Sequence, residues 1–186
     1  MKTKFIYGAF LALAGIVLQL VGYFLGTEEA VRTAGSMILG PVLWFLSVVA
    51  FCLILWLGVR AVRDEKPDQS MTYGQGVGAG VVIALIASVI AAIYAVIHFA
   101  IINPAFIQRM IDMMPEVRQQ WEQSGKMSED MMDTMEKFMR MIFSPAGAAV
   151  GVFIKEMIGG VIVSLIAAAI VKRNPQPAAQ VPPPLA

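Results

Sequence analysis

The stretch from Ala146 to Val171 reads AGAAVGVFIKEMIGGVIVSLIAAAIV, and its reading fixes how many times the chain crosses a membrane. It is uniformly apolar except where Lys155 and Glu156 interrupt it. A lysine at the centre of an inserted helix costs about 2.5–3.5 kcal/mol. Lys155, however, stands 17 residues before Lys172. At 1.5 Å per residue that is about 25 Å, close to the hydrocarbon thickness. Its ammonium can therefore snorkel to the far interface, so the segment reads as a span with Ala146 to Ile154 standing outside the bilayer.

Three further segments accompany it. Phe5 to Leu25 and Met37 to Val59 contain no charge, and Val77 to Ile102 carries no fixed charge but holds the only histidine, His98. Each reaches the roughly 20 helical residues needed to cross about 30 Å of hydrocarbon. Val77 to Ile102 is overlong, at about 39 Å, so spans three and four are expected to rise together above the membrane. The first segment follows the basic start MKTK, but its 21 apolar residues exceed a signal h-region and FLGTEEAV offers no small-x-small cleavage site; it reads as a retained span. Composition agrees: 58% of residues are hydrophobic and 15% charged, and the mean hydropathy is +0.73, too apolar for an ordinary soluble domain.

Other function classes are disfavoured. A net charge of +1 provides no basic face to release counterions from nucleic acid. The lone Cys52, within FCLILW, excludes an intrachain disulfide and multi-cysteine metal motifs. Paired carboxylates, a serine with a histidine, and H-E-x-x-H are all missing, so no enzyme and no cofactor are expected. With four spans, seven basic residues (Lys2, Lys4, Arg60, Arg63, Lys66, Lys172 and Arg173) share one side in short segments. The other side has Arg32 in a short acidic turn and a long segment with five basic and seven acidic residues. Both termini are expected to be cytoplasmic. The ending NPQPAAQVPPPLA, within residues 174–186, reads as a disordered proline-rich tail after a single membrane domain, 1–173.

The 43 residues from Asn103 to Pro145 are too many for a structureless loop and read as an amphipathic helical hairpin on the outer side. Asn103 caps its first helix, Pro104 takes the first position, Pro115 kinks it, and Ser124-Gly125 make the turn. In KMSEDMMDTMEKFMRMIF, residues 126–143, Ser128 is the N-cap and Met127 staples to Met132. Met131, Met132, Met135, Phe138, Met139, Ile142 and Phe143 share one arc of the wheel, with Asp133, Thr134, Glu136, Lys137 and Arg140 on the other. Phenylalanine and isoleucine among the methionines point to a deformable apolar face. Thioether binding of Cu(I) or Ag(I) is the remote alternative, because residues four apart on one helix lie about 6 Å apart along its axis and do not converge.

Inside the membrane, Gly8, Gly15 and Gly22 repeat every seven residues, and Gly76, Gly80, Ala84 and Ser88 every four, a spacing that lets helix backbones approach in lipid. YGQGVGAG lacks the G-x-G-x-x-G spacing and opens a span, so it reads as packing and not as a phosphate loop. Gln19 is expected to form an interhelical hydrogen bond. His98, Lys155 and Glu156 fall at similar computed heights, which makes a polar site with a His98–Glu156 contact the candidate to test; a structural hydrogen bond from His98 is the plainer expectation.

Taken together, GVRAVRDEKPDQSMTYGQGVGAG leading into IALIASVI, then INPAFIQRM, then FSPAG resemble the small bacterial membrane proteins grouped as domain of unknown function 4199. The resemblance covers most of the chain to about Arg173 and implies a bacterial multi-pass protein, with no activity, cofactor or catalytic residue attached. Lys155-Glu156 and the methionine density depart from it. The expectation is thus an all-α integral membrane protein with four transmembrane helices, at residues 5–25, 37–59, 77–102 and 146–171, plus the outer hairpin at 103–145. Its role is read as a structural or interaction component of a bacterial inner membrane, with the lipid bilayer and either a second copy or another membrane protein as partners. A small transporter or ion-translocating oligomer using His98, Lys155 and Glu156 ranks second.

Overall fold

A computed structural model describes residues 1–27, 34–125 and 128–173. Its regular elements are helices: α1 Lys2–Phe24, α2 Ala34–Asp64, α3 Tyr73–Ile97, a π-helical turn His98–Ile102, α4 Pro104–Asp112, α5 Met114–Ser124, α6 Glu129–Ile142 and α7 Pro145–Val171. Four stretches are long and apolar enough to cross a membrane: Lys2–Phe24, Ile38–Asp64, Tyr73–Ile102 and Pro145–Val171. They form a ring in which α1 packs on α2 and α3, and α7 closes it against α2 and α3. Large apolar side chains such as Phe5, Phe10, Phe45 and Ile170 face outward along the ring, as lipid-facing positions do.

Two helix ends lie four or more residues beyond the apolar run, each for a local reason. Helix α3 starts at Tyr73 rather than at Val77 because Thr72 and Gln75 form a capping box, with Gln75 N–H donating to Thr72 Oγ1 and the Gln75 carboxamide accepting from Thr72 N–H. Helix α2 continues beyond Val59 to Asp64, where the Arg60 guanidinium lies 5.8 Å from the Trp56 ring centroid and 3.6 Å from Asp64.

The pairing of α3 with α7 is the most extensive in the molecule and is antiparallel. Gly76 meets Ala168, Gly80 meets Ser164, and Gly160 meets Ala84, so close that a methyl on any of the three glycines would overlap its partner. With no hydrophobic effect between helices in lipid, this approach of backbones is what van der Waals packing requires. The buried hydroxyls of Ser88 and Ser164 donate to Ala84 O and Gly160 O of their own helices, which makes them tolerable in an apolar contact. Helix α1 joins through Gly8, packed against Ile83 and Ile86, and α2 through Gly58, packed against Tyr7 and Ile83. Leu55, Val59 and Ile83 are wholly enclosed there.

This packed half ends in ties between segments. Thr3 donates to Glu65, Arg63 donates to Val171 O, and Met71 and Arg173 exchange backbone hydrogen bonds in an isolated antiparallel bridge. The N-terminal start of α1, the α2–α3 turn and the end of α7 therefore lie together at one end of the bundle, carrying the seven basic residues.

At the opposite end α3 passes into the π-helical turn, closed by Asn103 N–H donating to His98 O at 2.7 Å. Asn103 does not cap α4 with its side chain, contrary to the sequence expectation; its backbone (φ −132°, ψ 59°) finishes the π turn instead, and Pro104 opens α4 as expected. The chain breaks at Met113 ahead of Pro115, which sits in the first turn of α5 where its missing N–H is harmless. Gly125 ends α5 in the left-handed conformation (φ 61°), a backbone state that glycine adopts without strain. Ser128 caps α6, accepting from Met131 N–H. The Met127 staple, the turn around Arg32 and the proline-rich tail lie outside the described residues.

The corner between α6 and α7 depends on a glycine that the spacing pattern did not single out. Ser144 caps α7 by accepting from Gly147 N–H, and the carbonyls of Met141 and Ile142 press against Gly147 where a Cβ would stand.

Candidate functional site

Above the packed half the four spanning helices separate. They enclose a cavity of about 410 Å³ lined by residues of α1, α2, α3 and α7. Gly15, expected to mediate helix contact, instead has no neighbour within 4 Å and lines this space. Gly22 packs against Thr27 and Leu43, so the seven-residue stripe is only partly an interface.

The polar lining comprises Gln19, Thr27, Ser47, Tyr94, Lys155 and Glu156. The hydroxyls of Thr27 and Ser47 are committed to Gly22 O and Leu43 O of their own chain segments, both at 2.9 Å. Gln19 makes no hydrogen bond among the described residues, so the expected interhelical bond is not formed; the helices have already diverged at its level. Lys155 Nζ lies 3.2 Å from Glu156 Oε1, with the two side chains 73% and 23% exposed. Both residues line the cavity, Glu156 the more enclosed of the two and Lys155 the more exposed.

His98 does not join them. The α3–α7 register places Glu156 opposite Ser88, ten residues before His98, which is about 15 Å lower along α3. Inspection of the sequence put them at similar heights because both were measured from assumed span ends, and the true register is set by the glycine contacts. His98 is fully buried. Its Nδ1 lies 3.1 Å from Tyr94 Oη, and Tyr23 and Phe99 stack edge-on to its ring. Tyr23 in turn donates to Ile102 O, so this aromatic cluster locks α1 to the π turn.

The methionine face of α6 is divided. Met132 is buried at 6% exposure and Met139 is half-buried, whereas Met131 (52%), Phe138, Met141 and Ile142 are exposed; Met135 lies between. The charged side is tied to α5 by Arg118, which donates to Asp133 at 2.8 Å and Glu136 at 3.0 Å. Arg140 donates to Glu136 from the next turn at 2.9 Å. The bonds from Arg140 first and Arg118 second hold the Glu136 carboxyl below its ordinary value, and those to Asp133 first and Glu136 second push the Arg118 guanidinium further up. Among the described residues no group of three His, Cys, Asp or Glu is placed to hold a metal.

Four apolar spanning helices around a common core, with lipid-facing side chains on the outside, define a multi-pass helical membrane protein. Residues 6–173, nearly the whole chain, match the family described as "Protein of unknown function (DUF4199)", and the chain belongs to that family. No curated protein and no solved structure matches it.

Sequence inspection overlooked Gly160, Ser164 and Ala168, although their four-residue spacing mirrors that of Gly76, Gly80 and Ala84. The signal for Gly58 and Gly147 was absent, since each answers to one neighbour from a distant segment or a chain corner.

Proposed function

We propose that the protein is a non-enzymatic structural or interaction component of a bacterial inner membrane, with both termini cytoplasmic and α4–α6 forming an outer amphipathic module. The observation that carries this reading is the exposed apolar edge of α6, formed by Met131, Phe138, Met141 and Ile142 beside a charged face. Burying one such side chain is worth about 1.5–3 kcal/mol, so a row of them calls for a covering surface, and the bilayer next to the end of α7 is the nearest one. The orientation is supported by the seven basic residues gathered at the end away from α4–α6.

Cysteine-accessibility mapping in a Cys52→Ser background tests the orientation. Gln123→Cys is expected to react with impermeant reagent from outside the cell, and reaction from the cytoplasmic side alone overturns it. Replacing Met131, Met135 and Met141 with leucine is expected to preserve insertion and protease protection of α6, and replacing them with serine to abolish protection. Tight stoichiometric Cu(I) binding that the leucine variant lacks would favour the thioether alternative.

A transport role is the second reading, favoured by the Lys155–Glu156 pair at the cavity wall. Its obstacle is the enclosed layer of Leu55, Val59 and Ile83 beneath, which would have to open. Flux into reconstituted vesicles that disappears in Glu156→Gln would support it.

A further inference from the structure

We propose that the cavity between the upper halves of the spanning helices is a binding site for a lipophilic organic cation, held by Glu156. The space, about 410 Å³, falls in the range of small-molecule sites, and its mostly apolar walls with a few polar groups have the composition of such sites. Four aromatic side chains contribute to it: Trp44, Phe51, Tyr94 and Phe99. Trp44 and Gly15 are exposed on the bundle surface, so entry is lateral, from the bilayer.

The sign of the ligand follows from the asymmetry of the ion pair. Both residues of the pair line the cavity, but Glu156 is mostly enclosed in its wall, whereas Lys155 is mostly exposed and sits on a flexible stem. Lys155 can release the carboxylate and remain solvated by reaching the interface, which is the behaviour of a lysine near a span end. The hole left behind carries one negative charge and aromatic faces, and both attract a cation that brings its own apolar body. Inorganic cations fit poorly, because one carboxylate and the Gln19 carboxamide cannot replace a hydration shell. An anion meets the carboxylate, and a neutral amphiphile gains nothing from it. The Gln19 carboxamide, unengaged among the described residues, is positioned to orient the bound molecule. This site does not depend on where α6 lies.

The test uses the full chain in lipid nanodiscs with two probes of the same shape and opposite charge, tetraphenylphosphonium and tetraphenylborate, measured by equilibrium dialysis against empty nanodiscs. Saturable, one-to-one binding of the phosphonium is expected, with the borate at least about tenfold weaker. Glu156→Gln is expected to weaken phosphonium binding at least about tenfold, a change of roughly 1.4 kcal/mol or more. Lys155→Gln should leave the affinity unchanged or tighten it. Because Glu156→Gln also removes the ion-pair partner of Lys155, Gly15→Leu provides an independent arm: it fills the cavity from a position with open space and leaves Glu156 intact. Loss of binding in Gly15→Leu with unaltered thermal stability supports the site. Equal binding of the two probes, undiminished affinity in Glu156→Gln or in Gly15→Leu, weakened affinity in Lys155→Gln, or no saturable binding would each overturn it.

Discussion

The two halves of the bundle are built from the same helices and nearly the same residue types, yet one is solid and the other hollow. At the basic end Gly76, Gly80 and Gly160 bring α3 and α7 into backbone contact, and Leu55, Val59 and Ile83 fill what remains. Toward α4–α6, Gly15 meets nothing and the space beside it stays open. Glycine therefore has two uses here. Opposed to a small residue on a neighbouring helix it is an interface, and opposed to nothing it is volume. The difference lies in the partner, since a glycine contributes to packing in lipid only when another surface can reach it. The hollow half also holds the charged and amide groups of the spans, Glu156, Lys155 and Gln19, whereas in the solid half the hydroxyl of Ser164 is bonded to its own helix.

Substitutions that invert this contrast are expected to have effects in a definite order. The largest is Gly160→Leu, whose side chain has to displace Ala84 across a contact where even a methyl would overlap. A loss of about 3 kcal/mol, the upper end for overpacking, is expected in reversible unfolding in mixed micelles, and a neutral result would mean that the solid half is compliant. Next is Leu55→Ala. Removing a fully enclosed side chain is expected to cost about 2 kcal/mol, at the low end of the range because transfer to lipid recovers little, while Ile16→Ala on the cavity wall should cost well under half as much.

A smaller effect is expected from acid, and only near the hollow half, where α5 and α6 are joined by charge. The Glu136 carboxyl is held below its ordinary 4.5 by Arg140 and Arg118. Its contribution is therefore fully present above pH 4.5 and is lost as the pH falls through the lowered value. Spin labels at Gln119 and Lys137 in a Cys52→Ser background should report a constant α5–α6 distance from pH 8 to about 5 and a broadened one only well below 4. Broadening near pH 6 would contradict the Glu136 assignment. Arg140 is exposed and Arg118 and Glu136 are only partly buried, so the change in overall stability should be slight. The smallest effect belongs to Gly15→Ala, expected to alter stability by no more than about 0.5–1 kcal/mol, in the stabilising direction, because alanine favours the helix and its methyl meets open space.

The sequence by itself determined that this is an all-helical membrane protein with four spans. Run length, charge spacing and the distance from Lys155 to Lys172 are local quantities, and the bilayer imposes a fixed thickness on them. It also determined much of the segment between spans three and four, since Pro104, Pro115, Gly125 and Ser128 act on their own backbone. Tertiary structure alone decided which glycines pack, where the helices part, and that His98 stands about 15 Å from Glu156 along α3. Those facts depend on the register between helices far apart in the chain. The α3–α7 register is set by small residues that meet across the two helices, and neither stretch alone announces which residue of the other it will face. The split face of α6 has the same origin: a wheel assigns Met131 and Met132 to one apolar arc, and only the neighbouring helices determine that one is buried while the other faces outward.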